Sequence, residues 1–364
     1  MSLGYRSALW PVFGLLAAAL ATAAWLGGPR LLHPRHTQAG EGLDVAAHGF
    51  DLAGFQLDRT LLAASGQPPD GLLALHAPPH FSASLADRWN TEHRGKYLVG
   101  SDRVIGLAWG GQARAYPLRV LNWHEIANDT LGGIPVAVTY NPLCDAAVVF
   151  DRRVDGDVID LAFSGLLYNS NLLAYDVQPE RGRRSLWSQL LFRAVSGPRA
   201  GRRLKVLPAS LARWGDWRRA HPDTTVLEPD PNLVRLYKRD PYAPYFGDER
   251  LRFPVRPLPE PHRRRKEGVV ALVSDEQTRV WTHGELATMA AADGVLRLPF
   301  RGRTVRARWN PEPPTVLVED LAPESGIGVV HAFYFAWYAF HSAPEAAGRA
   351  TRAPSGRRAA ATRP

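Results

Sequence analysis

Hydrophobic and polar positions begin to alternate clearly at Val104 to Trp109, and this period of two predicts a β-strand. Gly110-Gly111 separates it from a second alternating stretch, Gln112 to Leu118. A glycine pair between two short strands indicates a two-residue hairpin, because the favoured turns need positive φ. The period of two is lost over Leu118 to Ala127, where the spacing predicts a short helix.

Alternation returns after a second glycine pair, Gly132-Gly133, in Ile134 to Tyr140. Asp155-Gly156 is another hairpin signal between two alternating stretches. The further predicted strands are Ala146 to Val154, Val158 to Ser164 and Leu172 to Val177. Two later stretches are predicted to be helical or rich in turns: Ser185 to Val195, and Ser210 to His221 with Ser210 as its cap.

The pattern occurs a second time, less clearly. Val269 to Trp281 lines up with Val104 to Tyr116, and Gly302 to Pro311 lines up with Gly133 to Pro142. A tryptophan-histidine pattern also recurs in the same order, with Trp214, Trp217 and His221 matched by Tyr334, Trp337 and His341. These similarities predict a decayed internal duplication, and we expect the shared tryptophans and histidines to be structural.

The expected fold is therefore α+β and β-rich, with two related antiparallel-strand halves and a few short helices. The predicted boundaries are an N-terminal membrane anchor or signal segment (1–29), a Gly/Pro/Ala-rich linker (30–79), a first half with the candidate site (80–240), a second, decayed half (241–343) and a basic tail (344–364).

Ser7 to Gly28 carries no charge and follows Arg6. About 20 apolar residues span a bilayer core, so the segment is either an uncleaved anchor or a secretory signal with cleavage options near Ala21 to Ala23. Both alternatives place the folded part outside the cytoplasm, with the membrane as a partner through this segment.

The formal net charge is +9, but it is concentrated locally. Nine basic residues lie in two blocks, so the rest of the chain is close to neutral; they are Arg263, Arg264, Arg265, Lys266, Arg349, Arg352, Arg357, Arg358 and Arg363. This distribution, without interleaved aromatic residues, does not indicate a nucleic-acid partner.

Cys144 is the only cysteine, which excludes an intramolecular disulfide. His124 and Cys144 are the two candidate metal ligands, and a transition metal such as copper suits a lone cysteine with a histidine. A thiol activated by the histidine is the alternative. The candidate site consists of His124, Glu125, Asn141, Cys144, Asp145, Tyr168, Asn169 and Asn171, with Ser170 in the same polar cluster.

Several long motifs resemble a bacterial family of unknown function, DUF3179. They are NWHEIANDTLGGIPVAVTYNPLC, YNSNLLAYD, LWSQLL and LARWGDWRRAHPDT, and the resemblance covers roughly Leu52 to Thr225 well and the second half more weakly. The family pattern is Cys-Pro-Leu-Cys-Gly where this chain has Asn141-Pro142-Leu143-Cys144-Asp145. The resemblance implies a site at this place, while the replaced cysteine removes any dithiol chemistry.

Two classes of function follow, and whether the protein is an enzyme stays open. The first is an exported protein with a Cys/His metal or thiol site in the first half. The second is a non-catalytic envelope binding or structural module that keeps the fold without the cysteine pair. A hydrolase is supported only by the presence of His, Glu and Asp, since no nucleophile motif is present.

Overall fold

A computed structural model describes residues 44–92, 97–260 and 264–342. The α-helices are α1 (Ala83–Glu92), α2 (Leu118–His124), α3 (Trp214–Ala220), α4 (Val234–Tyr237), α5 (Ala243–Phe246), α6 (His283–Met289) and α7 (Tyr334–His341). The strands are β1 (Leu62–Ala64), β2 (Leu75–His76), β3 (His80–Ser82), β4 (Arg103–Trp109), β5 (Gln112–Pro117), β6 (Ile126–Leu131), β7 (Ile134–Asn141), β8 (Ala146–Asp151), β9 (Arg153–Val154), β10 (Asp157–Val158), β11 (Leu161–Tyr168), β12 (Asn171–Asp176), β13 (Leu186–Ser188), β14 (Arg193–Ser196), β15 (Lys205–Val206), β16 (Ser210–Arg213), β17 (Thr225–Leu227), β18 (Gly268–Val273), β19 (Thr278–Thr282), β20 (Val295–Phe300), β21 (Arg303–Pro311), β22 (Pro314–Val318) and β23 (Gly328–Phe333).

The fold is β-rich α+β, as the alternation predicts. Three sheets hold most of the strands. Sheet A has the order β1-β11-β12-β13-β14, sheet B has β19-β18-β23-β8-β7-β6-β2 with β15 also on β8, and sheet C has β20-β21-β22-β16-β4-β5-β17-β3.

The hairpin turns confirm the glycine signals. Gly110 and Gly111 have φ of 59° and 72°, and Gly132 and Gly133 have φ of 55° and 76°. These glycines connect β4 to β5 and β6 to β7. Asp155-Gly156 connects β9 to β10 with φ of 53° and 89°. Positive φ at both central residues is the geometry that twists a hairpin correctly.

The order of elements after β3 corresponds between two parts of the chain. A hairpin, a helix and a three-stranded meander occur as β4–β5, α2 and β6–β8, and again as β18–β19, α6 and β20–β22. The hairpin of each part lies in the same sheet as the meander of the other part. Each eight-stranded sheet therefore takes strands from both predicted halves.

The strand registers correspond as well. Ile105 pairs with Tyr116 as Val270 pairs with Trp281. In the meanders, Tyr140 pairs with Ala147 as Trp309 pairs with Val316. The strands that link hairpin and meander also match, since Leu211 pairs with Val316 and His331 pairs with Ala147. These pairings define equivalent positions in sheets B and C.

Sheet A covers one face of sheet B, and the described residues form no equivalent sheet on sheet C. It is built mainly from the long segment between β8 and β16, and its apolar side chains share a core with those of sheet B. The corresponding segment between β22 and β23 is short, residues 319–327. Among the described residues, one face of sheet C therefore lacks a covering sheet, although Trp217 of α3 packs over Gly106 on this face.

Several local predictions differ from the structure. Residues 185–195, predicted to be helical or rich in turns, form no helix; they contain a turn at 189–192 between β13 and β14, and the apolar run is buried in sheet A. Ser210 begins strand β16 and does not cap α3, which starts at Trp214. The predicted helix over Leu118 to Ala127 ends at His124, and Ile126 already begins β6.

The predicted linker is part of the folded body from residue 44 onward. Leu61 and Leu72 are buried, and β1 and β2 pair with β11 and β6. His48 is also buried, and its ring nitrogens contact the carbonyl oxygens of Asp44 and Gln67.

The predicted anchor or signal segment and the basic tail lie outside the described residues. Within the described ranges, none of the helices has both the length and the apolar character needed to cross a bilayer.

Candidate functional site

Cys144 lies in the tight turn between β7 and β8. Its backbone N–H donates to the side-chain oxygen of Asn141 at 3.2 Å, which fixes the orientation of that amide. The next residue, Asp145, has a φ of 44°, a left-handed conformation that glycine adopts most easily. This geometry explains why a glycine suits this position in the Cys-Pro-Leu-Cys-Gly pattern.

The Cys144 thiol is buried and held by a hydrogen bond. Its Sγ donates to the carbonyl oxygen of Ser170 at 3.3 Å. Burial raises the pKa of Cys144 well above its usual range, and the carboxyl groups of Glu125 and Asp145 act in the same direction, while Asn171 opposes them. The thiolate, which is the nucleophile and the metal ligand, is therefore disfavoured at neutral pH.

Glu125 lies beside this turn in an uncommon environment. It ends α2 in a left-handed conformation, with φ of 55°, and its side chain is buried. Burial raises the pKa of Glu125 to about 8, and the Asn141 amide opposes this shift. The carboxyl group is thus mainly neutral at pH 7.

Three buried polar atoms near Cys144 have no hydrogen-bond partner among the described residues. They are Glu125 Oε2, Asn141 Nδ2 and Ser170 Oγ. The Asn141 amide influences Glu125 from nearby but lies outside ordinary hydrogen-bond geometry. Buried groups of this kind are commonly satisfied by internal water.

The polar residues after β11 mainly form a turn and hydrogen-bond neighbouring segments to one another. Asn169 donates to the carbonyl oxygen of Arg256 at 3.0 Å and accepts from its N–H at 2.9 Å. Asn171 donates to Gln189 at 2.8 Å, and Gln189 donates to Thr139 at 2.8 Å. These bonds link sheet A to β7 and explain the burial of this polar cluster.

Tyr168 packs in the core instead of lining an opening. Its ring lies 6.1 Å from that of Phe55 and 5.8 Å from that of Phe340, both edge-on. Tyr245 packs against the β7–β8 turn, and its hydroxyl donates to the carbonyl oxygen of Leu143 at 2.9 Å. Tyr245 was not among the sequence candidates, because it comes from α5, far along the chain.

His124 contacts groups other than Cys144 through both of its ring nitrogens. Its Nδ1 lies 2.7 Å from the carbonyl oxygen of Leu73, and its Nε2 lies 2.8 Å from the hydroxyl of Tyr237. Both ring nitrogens are engaged, and burial lowers the pKa of His124. This arrangement does not fit copper or another transition metal held jointly by His124 and Cys144.

Asp145 is bound by residues that the sequence did not indicate. Arg103 donates to both of its carboxylate oxygens, and the Tyr140 hydroxyl donates to Oδ1 at 2.6 Å.

Burial lowers the pKa of nearby His331 to about 4, and the Arg103 charge acts in the same direction. A second histidine, His283, is shifted to about 4 for the same main reason. The described residues contain no group of three or more His, Cys, Asp or Glu side chains arranged to hold a metal ion.

A large cleft lies on the uncovered face of sheet C, away from Cys144. Its volume is about 1210 Å³, and it is open to solvent on one side. Gly106, Ala108, Ser210 and Ala212 form part of its floor, from β4 and β16. Its walls carry charged and aromatic side chains: Arg213, Asp216, Arg219, His221, Asp293, Arg306, Arg308, Trp309, Glu319 and Asp320.

The cleft residues were not among the sequence candidates, although β21 held a signal. Arg306 and Arg308 alternate with Val305 and Ala307, which are buried. A period of two in a strand places the two arginines on the same face. Their meeting with residues of β16 and α3 depends on the sheet order, which this pattern does not reveal.

Comparison with known proteins gives one match. The family model "Protein of unknown function (DUF3179)" matches residues 70–327, which is more than half of the chain. No curated protein and no solved structure matches the chain. The matched region includes the Cys144 turn and the three-stranded meander of each eight-stranded sheet. The chain therefore belongs to the DUF3179 family.

Proposed function

We propose that this protein is a non-catalytic binding module, and that the cleft on sheet C is its binding site. The observation that carries the proposal is the difference between two equivalent sheet faces. On sheet B, this face is apolar and buried under sheet A. On sheet C, α3 covers part of the face through Trp217, and the rest forms a cleft lined by polar side chains.

The equivalent positions show how far the two faces differ. Val330 of sheet B is equivalent to Ser210, and Ala137 is equivalent to Arg306. Val330 and Ala137 are fully buried against sheet A. A serine and an arginine at such positions are unsuited to a dry apolar interface, because buried polar groups need partners. The open face is therefore suited to water or to a polar ligand.

The Cys144 cluster, which consists of Cys144 and the polar residues Glu125, Asn141 and Ser170 beside it, supports the non-catalytic alternative. Its thiol is buried and bonded to Ser170, and its pKa is raised. Reactive cysteines instead lie in partly exposed, electropositive surroundings that lower the thiol pKa. We assign the cluster a structural role in fixing the β7–β8 turn against sheet A.

A substitution that fills the cleft tests the binding function. Ala108 lines the cleft floor, and Ala113 lies directly opposite it on β5, on the same sheet face but outside the cleft. Ala108→Trp is expected to remove any small molecule that remains bound to the full chain in native mass spectrometry. Ala113→Trp is the matched control and is expected to retain it. Equal occupancy in the wild type and both variants, including none in all three, would contradict the proposal.

We also infer that the N-terminal segment directs export, as an anchor or a cleaved signal, and that the folded part lies outside the cytoplasm. The support is the uncharged stretch from Ser7 to Gly28 after Arg6. Membrane fractionation with intact-mass analysis separates the outcomes. A full-length chain in the membrane indicates an anchor, a shortened exported chain indicates a signal, and a cytoplasmic chain contradicts export.

We further propose that the two halves arose by duplication. The support is the corresponding registers in sheets B and C, together with the matching sequence segments. On this proposal, the cleft appeared where the second half lacks the long insertion that forms sheet A in the first half.

A further inference from the structure

We propose that the cleft binds an extended anionic ligand that carries at least two carboxylate or phosphate groups. This inference rests on the proposed function of the cleft and adds the chemical class of its ligand. It is carried by two separate arginine clusters on the cleft walls, in each of which two arginines share one carboxylate.

The first cluster, the Asp216 cluster, lies at the junction of β16 and α3. Arg213 Nε donates to Asp216 at 2.6 Å, and Arg219 Nη1 donates to the other oxygen at 2.9 Å. Asn310 Nδ2 adds a third bond at 3.1 Å. The carboxylate thus accepts three hydrogen bonds. Arg213 Nη1 also donates to the carbonyl oxygen of Glu312 at 3.2 Å, and each guanidinium, with five N–H groups, keeps donors for a ligand.

The second cluster, the Glu319 cluster, lies on β21 and the end of β22. Arg308 Nε donates to Glu319 at 2.6 Å, and Arg306 lies 3.5 Å from the same carboxylate. Both arginine side chains are about half exposed, at 51% and 53%. Arg306 is therefore only loosely engaged and is available to an anion.

The neighbouring strand adds a further positive charge. Arg297 on β20 pairs directly with Arg306 across the antiparallel ladder. Like charges at directly opposed positions destabilise a sheet. An anion between them would relieve this repulsion, and paired guanidinium groups match the geometry of carboxylate and phosphate oxygens.

The arrangement of the clusters sets a minimum length for the ligand. Leu211, Val316 and Trp309 lie opposite one another across β16, β22 and β21. Arg213 follows Leu211 by two residues and Arg308 precedes Trp309 by one, so these two arginines are two strand spacings apart across the sheet and about three residues apart along it, a Cα separation of roughly 14 Å. One small anion does not reach both clusters. Asp293 and Asp320 also line the cleft, so that it carries four carboxylates beside its four arginines. Both aspartates are exposed to solvent, which screens their charges.

Three probes distinguish the possible ligand groups in titration calorimetry of the full chain. Trigalacturonate carries carboxylates, and tripolyphosphate carries phosphates. Maltotriose is a neutral trisaccharide of the same length as trigalacturonate. Binding of trigalacturonate or tripolyphosphate supports the inference and identifies the group. We expect the affinity to fall as salt is raised, because ionic contacts are screened.

Two arginine variants test the location. Arg308→Gln is expected to weaken anion binding at least 10-fold. Arg301→Gln is the matched control, because Arg301 pairs with exposed Glu276 outside the cleft; its affinity is expected to stay within 2-fold of the wild type. Circular dichroism establishes that each variant is folded.

The outcomes separate this inference from the proposed function. If maltotriose binds, the anions do not, and Ala108→Trp abolishes the binding, the cleft is a binding site but the inferred ligand class is wrong. If no probe binds, or if Arg308→Gln leaves anion binding unchanged, the inference is overturned. Loss of a co-purified ligand in Ala108→Trp would then still support the proposed function.

Discussion

Arg103 binds Asp145 through both carboxylate oxygens, at 2.8 and 2.9 Å, and thereby joins strand β4 of sheet C to the β7–β8 turn of sheet B. Burial by itself lowers the pKa of Arg103, but the Asp145 carboxylate, together with Tyr140 and Asp240, outweighs this effect, so the pKa is raised overall. The bidentate pair therefore connects the two sheets at the edge of the Cys144 turn.

Removing one member of this pair is expected to destabilise the fold. In Arg103→Met, the buried carboxylate of Asp145 loses both hydrogen bonds from Arg103 and keeps the one from the Tyr140 hydroxyl. Breaking a buried pair on one side typically costs about 3–5 kcal/mol. The free energy of unfolding from urea titration measures the loss. Arg301→Met removes an exposed pair and is expected to cost less than about 1 kcal/mol; equal effects would show that the Arg103 pair does not hold the sheets.

Cys144 is expected to be unreactive in the folded protein. The thiol is fully buried, donates to Ser170, and has a raised pKa. A thiol reagent such as dithionitrobenzoate at pH 8 should label the native chain only as fast as it unfolds, and should label one thiol per chain in guanidinium chloride. Rapid labelling of the native protein would mean that the turn opens or that the thiolate is stabilised.

Glu125 is expected to make the protein more stable at mildly acidic pH. Its pKa is raised from 4.5 to about 8 by burial, so the folded state holds a proton that the unfolded chain releases between these values. The stabilisation is fully present below pH 4.5 and is lost as the pH rises through about 8. Its size is on the order of 5 kcal/mol, since one pKa unit corresponds to about 1.4 kcal/mol.

The measurement compares unfolding free energies of the wild type and Glu125→Gln from pH 4.5 to 8. The difference between the two proteins should shift steadily against the wild type as the pH rises, because glutamine does not titrate. Glu276→Gln, at an exposed site, is the control and should show no such trend. A constant difference for Glu125→Gln would indicate that the carboxyl group is already charged in the folded state.

Gly106 is expected to tolerate no side chain. A Cβ at this position would lie 2.3 Å from the ring of Trp217, which is itself buried. Gly106→Ala should therefore cost about 1–3 kcal/mol through overpacking of strand β4 against α3. Thermal unfolding detects the change. Gly54→Ala, where a Cβ meets nothing within 4 Å, is the control and should remain close to the wild type.

The sequence by itself determined those structural features that depend only on residues close together in the chain. The hairpin turns at Gly110-Gly111 and Gly132-Gly133 follow from the need for positive φ, and most of the strands of the first half follow from alternation. The burial of Trp214, Trp217 and Trp337 also agrees with the expected structural role. For residues 185–195 the predicted turn is present at 189–192, but the two short strands beside it were missed, because they are defined by pairing within sheet A and not by a local pattern.

Only the tertiary structure decided which distant segments meet. Glu125 comes close to Cys144 while the adjacent His124 turns toward Leu73 and Tyr237, a choice made by the left-handed end of α2. The cleft likewise exists because β21 and β16 lie in one sheet, separated by β22. Strand order and register depend on contacts between residues far apart in the chain, and the same alternating pattern is compatible with many such orders. The sequence could therefore indicate the strands and the polar residues, but the sheet order alone placed the arginines around a common cleft.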